Sequence, residues 1–438
     1  MSRLGSADTT YEFLRRALGW SVVLQVVWIF DDEIPTETLA SMHKWLGQGR
    51  LHRRLAAAKV PGARPRWVPA GALPELVSDH IPVGPDQIES WAGTEMMGVD
   101  LDAGAGRCWR LRAAPTVSGG TALSLCALHL VADGRTLVRA AGEAMAHCTV
   151  AAPDGSGGDL LSEVKDAVAQ VLSASTAVVA AGIGALGVGR GGEPALIDNR
   201  PPRAEHADRA PQASPAWATV SVPAADWDAA ARAHGGTANS LYIAVVSGLL
   251  RSSCYAPPGD PIKVGVPVDV RAGAGDDSSN ATAGVSVMLT DDPVPGGSLT
   301  AIRRSCKEAF SALPRKRRAR GDLTALVWLL PATWLIGAVS AGNGMPDAMV
   351  SNLGDIDDRA TRLGAATARR TAFRGMAQGV DPALPYRFGD GVQSWLLRGD
   401  DEITFCVAGF DESVFGGGRL RRLLADELAA WRLTHDIW

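Results

Sequence analysis

The chain has 438 residues, 46% of them hydrophobic and 21% charged, with a formal net charge of -4. That length is more than one hydrophobic core usually spans, so two domains are expected, and the small net charge gives no support to general nucleic-acid binding. The six cysteines (108, 126, 148, 254, 306 and 406) form no CxxC pair, and the eight histidines form no HxxxH or HExxH cluster. That usage fits a reducing, cytoplasmic setting and argues against a metal enzyme.

At the N-terminus Arg15-Arg16 precede an apolar stretch, Ala17 to Phe30, which has the outline of a signal peptide. Asp8 and Glu12 upstream, Asp31-Asp32-Glu33 downstream and the lack of a small-residue cleavage site speak against it. Gly19 to Trp28 reads instead as buried strand, with a strand over Val22–Phe30 and a helix over Thr36–Arg54. Thr121–Leu128 alternates as a buried or half-buried strand. His129-Leu130-Val131-Ala132-Asp133-Gly134 follows it. Leu137, Ala140, Ala141, Ala144, Met145 and Cys148 then recur at helical spacing, and Leu161–Ser173 reads as another helix.

Two apolar runs, Ala174–Val188 and Leu323–Ala341, invite comparison with membrane spans, which need ~20 apolar residues. The first is short and built of small residues, and the second holds Pro331, so no span is expected; peripheral membrane contact stays open. From 187 to 215 the chain carries four glycines and five prolines with no apolar period, which marks an interdomain linker. The expected division is residues 1–186, a linker over 187–215, and residues 216–438. In the second half Trp217–Val222 reads as a strand, Pro223 opens a helix that ends at Gly235-Gly236, and Thr237–Arg251 is a strong helix. Strands are expected at Ile262–Val268, Gly284–Leu289, Ala348–Val350, Gln393–Leu397 and Ile403–Ala408, the last two joined through Arg398-Gly399-Asp400-Asp401. A helix over Arg419–Leu433 ends the chain's regular structure.

The run from His129 to Gly134 carries the chemistry. An imidazole at a strand end projects into a crevice and takes a proton near neutral pH. The acid beside it suits bracing of the local structure, and the glycine suits a sharp turn. Other motifs fail. Gly182-Ile183-Gly184-Ala185-Leu186-Gly187 fits GxGxxG, but Gly189, Gly191, Gly192 and Pro194 forbid the helix that a dinucleotide site needs next. Ala338-Val339-Ser340-Ala341-Gly342 lacks the first glycine of GxSxG. The basic run of Arg315, Lys316, Arg317, Arg318 and Arg320 reads either as a solvated helix end or as a contact for the phosphates of coenzyme A or for an acidic carrier protein.

His129-Leu130-Val131-Ala132-Asp133-Gly134 resembles the HxxxDG motif of the chloramphenicol-acetyltransferase-like acyltransferases, a superfamily that includes condensation domains. Among them the sequence looks nearest to bacterial wax ester synthase / diacylglycerol acyltransferases, which also begin with a segment like Met1 to Asp8. Thr237-Ala238-Asn239-Ser240 is similar to that group's helix-opening Asn-Asp pair. Val266 to Arg271 with Asn280 is similar to its proline–arginine strand and later asparagine, and Val350-Ser351-Asn352-Leu353-Gly354-Asp355 to its Ser-Asn strand end. Two departures stand out: Leu128 replaces the first histidine of HHxxxDG, and Ser240 replaces the aspartate of Asn-Asp.

The resemblance implies an α/β fold of two chloramphenicol-acetyltransferase-like halves, each a mixed β-sheet with flanking helices, in a V-shaped pseudo-dimer with a central tunnel. It implies acyl transfer from a thioester, with acyl-CoA the expected donor, to a hydroxyl or amine acceptor, by a monomer that uses no cofactor and no metal. His129 would be the general base. Asp133 would pair with Arg271 and brace the turn, with Gly134 in support. Ser351, Asn352 and Asn239 would be oxyanion or substrate contacts, although Asn239 also suits a plain helix-capping role. A carrier-protein-dependent condensation-type enzyme and a non-catalytic lipid- or partner-binding member are the alternatives.

Overall fold

A computed structural model of the chain describes residues 3–150, 160–187, 215–273, 276, 278–320, 323–331, 346–380 and 391–438, with the side chains of 177–187, 314–320 and 323 left aside. The α-helices up to residue 320 are α1 (Ser6–Leu18), α2 (Thr36–Leu46), α3 (Ile88–Gly98), α4 (Gly134–Met145), α5 (Leu160–Gly187), α6 (Ala224–Ala233), α7 (Ala238–Ser252) and α8 (Thr300–Arg320). The strands before residue 150 are β1 (Ser21–Phe30), β2 (Arg53–Ala56), β3 (Arg66–Pro69), β4 (Leu76–Ser78), β5 (Trp109–Pro115) and β6 (Thr121–Leu128). Those after residue 215 are β7 (Ala216–Pro223), β8 (Ile262–Asp269), β9 (Thr282–Leu289), β10 (Ala348–Asp355), β11 (Arg362–Leu363), β12 (Ala366–Gln378), β13 (Val392–Arg398), β14 (Glu402–Gly409) and β15 (Asp436–Ile437).

Two mixed sheets form two lobes. The first runs β11-β12-β1-β6-β5-β4, antiparallel except where β4 meets β5. The second runs β15-β7-β14-β13-β10-β8-β9, with parallel pairs on both sides of β10. The continuous apolar run of β1 is explained by cover on both faces. Leu24, Val26, Trp28 and Phe30 enter a core with Met42 of α2 and Leu137, Ala140 and Ala144 of α4. Val27 and Ile29 pack with Ile88 and Ala92 of α3. The second lobe has its own core, in which α7 and the helix Arg419–Ala430 cover Val220, Val264, Val350 and Phe405 of its sheet.

The sheets are not divided along the chain as simply as the halves are. β12 leaves the second lobe and pairs along the whole of β1, from Ser21 opposite Gln378 to Phe30 opposite Ala368. Its Arg374 is fully buried and donates to Glu89 of α3 at 2.6 Å, with the guanidinium 5.3 Å from the Trp217 ring. One expected helix is shorter than its pattern: Thr36–Arg54 stops at Leu46, with Gly47 at the cap, and Arg53–Ala56 is strand. The residues of the expected linker from 188 to 214 lie outside the described set, and α5 runs up to it. No helix among the described residues is long and apolar enough to cross a membrane.

Candidate active site

His129 sits just past β6, where its backbone N–H donates to Val22 O at 2.8 Å and so extends the ladder with β1. Its Nδ1 lies 3.1 Å from Asn280 Oδ1. The same asparagine spends its amide N–H groups on Asp8 Oδ1 at 2.7 Å and His129 O at 2.9 Å. A carboxylate and a carbonyl accept only, so they fix which end of the amide faces the ring. The oxygen faces Nδ1, which therefore carries the proton, and Nε2 is left as the basic nitrogen. Burial pushes the His129 pKa below its usual 6.5, against the opposing pull of Asp133 and Asn280. The surroundings thus favour one tautomer and work against protonation of the ring.

Tyr11 of α1 stacks on that ring, with centroids 3.9 Å apart and planes 19° from parallel, and its hydroxyl is 2.9 Å from Nε2. A phenol oxygen lies in its own ring plane. Near-parallel stacking therefore holds it over the imidazole face, out of the plane that contains the Nε2 lone pair. Burial, with Asp133 and then Asp8 adding to it, raises the Tyr11 pKa well above 10, so the phenol keeps its proton. Burial also raises the pKa of Asp8, which accepts from the Gly5 N–H and so holds the first turn of α1.

Asp133 does not serve His129 directly. One carboxylate oxygen accepts from Thr136 N at 2.9 Å as the N-cap of α4. The other accepts from Arg271 Nη2 at 2.7 Å, Ala281 N at 3.0 Å and Thr282 Oγ1 at 3.4 Å. Arg271 also donates to Thr136 Oγ1, Ser278 O and Asp269 Oδ1. The carboxylate thus ties the turn after β6 to the stretch that leads into β9 and carries Asn280. Buried Arg53 adds a second tie, with Nη2 donating to Val131 O at 2.8 Å and to Ser279 Oγ.

Gly134 is needed for a different reason from the sharp turn expected of it. It is the first residue of α4 and not among the left-handed glycines. A Cβ there would meet Leu353 Cδ2 at 2.4 Å and Phe373 Cζ at 3.1 Å. Glycine lets β10 and β12 press against the start of the helix. Arg135 completes that joint by donating to Leu353 O at 2.9 Å and to Asp269 Oδ2 at 2.9 Å.

The other expected residues lie on β10, α7 and α8. Ser351 and Asn352 lie in β10 opposite Trp395 and Leu396, and neither makes a hydrogen bond to His129. Asn352 Oδ1 accepts from Gly354 N at 2.9 Å, a local bond at a left-handed glycine where the register of β10 against β13 shifts. Asn239 is in the first turn of α7, and the capping expected of it belongs to Thr237 and Ser240. Thr237 N donates to Ser240 Oγ at 2.6 Å and Ser240 N to Thr237 Oγ1 at 3.2 Å. A hydroxyl does this work as an aspartate would. Arg315, Lys316, Arg317 and Arg318 lie on the backbone of α8, and their side chains are outside the described set. A cavity of about 260 Å³ beside Arg135, Arg139 and Arg359 is not a cationic pocket, because these pair with Asp269, Glu143 and Asp357.

Tyr11 and Asp8 are the residues that sequence reasoning missed, and Asn280 was noted without a role. The available signal was the spacing of Asp8 and Glu12, two acids one helical turn apart that both prove to be buried.

Neither a family model nor a curated protein matches the sequence. Solved structures do match. Wax ester synthase/diacylglycerol acyltransferase from Marinobacter aquaeolei VT8 is 17% identical, with 98% of this chain and 99% of that one covered at a TM-score of 0.60. F. sporotrichioides TRI101, complexed with coenzyme A and T-2, is 15% identical, with 99% of each chain covered at 0.60. The first condensation domain of the CDA synthetase is 16% identical, with 99% of each covered at 0.56. The chain has the chloramphenicol-acetyltransferase-like fold. The candidate residues are drawn together from both halves of the chain: His129 and Tyr11 from the first, and Asn280 and Arg271 from the second.

Proposed function

We propose that this protein transfers an acyl group from a thioester, with acyl-CoA the expected donor, to a hydroxyl or amine, and that His129 is the general base. The observation that carries the reading is the buried imidazole whose Nδ1 lies 3.1 Å from Asn280 Oδ1, an oxygen that only accepts. That bond leaves the in-plane lone pair of Nε2 for a substrate. The acceptor's O–H or N–H proton passes to Nε2 as its heavy atom attacks the thioester carbonyl. The tetrahedral adduct collapses, the C–S bond breaks, and the thiolate takes the proton back from Nε2. No covalent enzyme intermediate and no cofactor enter this sequence. Support by analogy comes from similar structures, one named a diacylglycerol acyltransferase and one bound to coenzyme A.

The test is thiol release from acyl-CoAs of several lengths with pooled alcohol and amine acceptors. His129→Ala is expected to lower the rate by ~10²–10⁴. Because the imidazole pKa is depressed, the base form persists below pH 6.5, and the acid limb of the pH–rate profile falls below that value. Release that survives in His129→Ala overturns the assignment of the base. Saturable acyl-CoA binding without turnover overturns catalysis.

A further inference from the structure

We infer that the Tyr11 hydroxyl is the oxyanion donor of this site, a reading that rests on His129 being the base. A substrate that gives its proton to Nε2 must lie in the imidazole plane, along the lone pair. The carbonyl that it attacks is bonded to it in the adduct, so the developing oxyanion forms within a bond or two of that position. A useful donor therefore has to lie close to Nε2 without lying in its plane. The Tyr11 hydroxyl meets both conditions: it is 2.9 Å from Nε2, and near-parallel stacking holds it over the ring face.

Asn352 uses its carbonyl oxygen on Gly354, and neither Ser351 nor Asn352 bonds to His129. Tyr11 is fixed by the helix that also supplies Asp8, so its hydroxyl is aimed before substrate arrives. The phenol stays protonated and acts as a donor, not a nucleophile. The step is one of hydrogen bonding alone: Tyr11 O–H donates to the oxygen as the C=O π pair moves onto it, and the bond weakens when the C–S bond breaks.

Tyr11→Phe keeps the stack and removes only the donor. It is expected to lower kcat by ~10²–10³ with KM for thioester and acceptor unchanged. The Nδ1–H tautomer of His129, read by ¹⁵N NMR, should be the same as in the wild type. Fluorotyrosines of falling phenol pKa at position 11 should restore kcat and make it rise with donor acidity. Wild-type kcat in Tyr11→Phe, loss of rate through a changed His129 tautomer, or rates indifferent to phenol acidity each overturns the inference. If His129→Ala keeps activity in the same assay, the general-base reading fails and takes this one with it. If His129→Ala is inactive and Tyr11→Phe is not, only the oxyanion assignment fails.

Discussion

Replacing Asp133 by alanine removes four acceptor contacts that converge from three stretches of chain. The α4 cap at Thr136 N is lost, which costs about 1 kcal/mol. The Ala281 N–H loses its partner and, if buried unsatisfied, costs about 1–3 kcal/mol. Breaking a buried ion pair costs about 3–5 kcal/mol because the surviving charge is stranded. Arg271 keeps Asp269 at 3.1 Å and two neutral acceptors, so the lower end of that range applies. These terms overlap, and a loss of roughly 4–5 kcal/mol is expected, a large fraction of a usual net stability of about 5–15 kcal/mol. Urea unfolding followed by tryptophan fluorescence measures it, with Asp133→Ala, Arg271→Ala and the double variant as a cycle. Ala281 adjoins Asn280, so the variant should also release the hold on Nδ1 and lower kcat in the protein that does fold. A single variant within about 0.5 kcal/mol of the wild type, or an additive cycle, would refute the bracing role.

Two more outcomes rest on contacts away from His129. Gly134→Ala forces Leu353 and Phe373 back from the start of α4 and should cost about 1–3 kcal/mol. Adding Leu353→Ala should recover most of that if the crowding argument is right, and a pair no more stable than Gly134→Ala alone would count against it. Glu427 is buried beside Trp431, and burial pushes its pKa up to about 7 despite the Trp431 N–H bond at 3.0 Å. Its folded pKa is above the unfolded 4.5, so its contribution is fully present below about pH 4.5 and is lost as pH rises through about 7. Glu427→Gln should therefore raise the melting temperature at pH 8 and leave it nearly unchanged at pH 4.5; an equal effect at both values would show that ionisation is not the cause.

Much of the fold was legible because its signals are local. The apolar run from Val22 to Phe30 and the alternation in Thr121–Leu128 became the expected strands within a residue, and the helical spacing from Leu137 to Cys148 became a helix that starts and ends three residues earlier. β12 was not legible. Its Arg369, Arg370 and Arg374 hide the alternation, and Arg374 is tolerated inside only because Glu89, far away in sequence, supplies the counter-charge. The reason for Gly134 was likewise hidden: the backbone could have turned there with any glycine-compatible angle, but the crowding comes from Leu353 and Phe373. Asn239 and Ser240 show the reverse error, where a motif position suggested one residue and the capping geometry used its neighbours.

By itself the sequence determined the α/β class, the position of His129 at a strand end and the likeness to HxxxDG proteins, because strand and helix periods and a six-residue motif are properties of adjacent residues. Only tertiary structure decided the surroundings of that histidine. The tautomer depends on Asn280, 151 positions away, and on Asp8, 272 positions from Asn280. The group over its face is Tyr11, 118 positions before it. A side chain's protonation state is set by what surrounds it in space, and burial and hydrogen bonds of that range exist only once the two lobes and the N-terminal helix have come together.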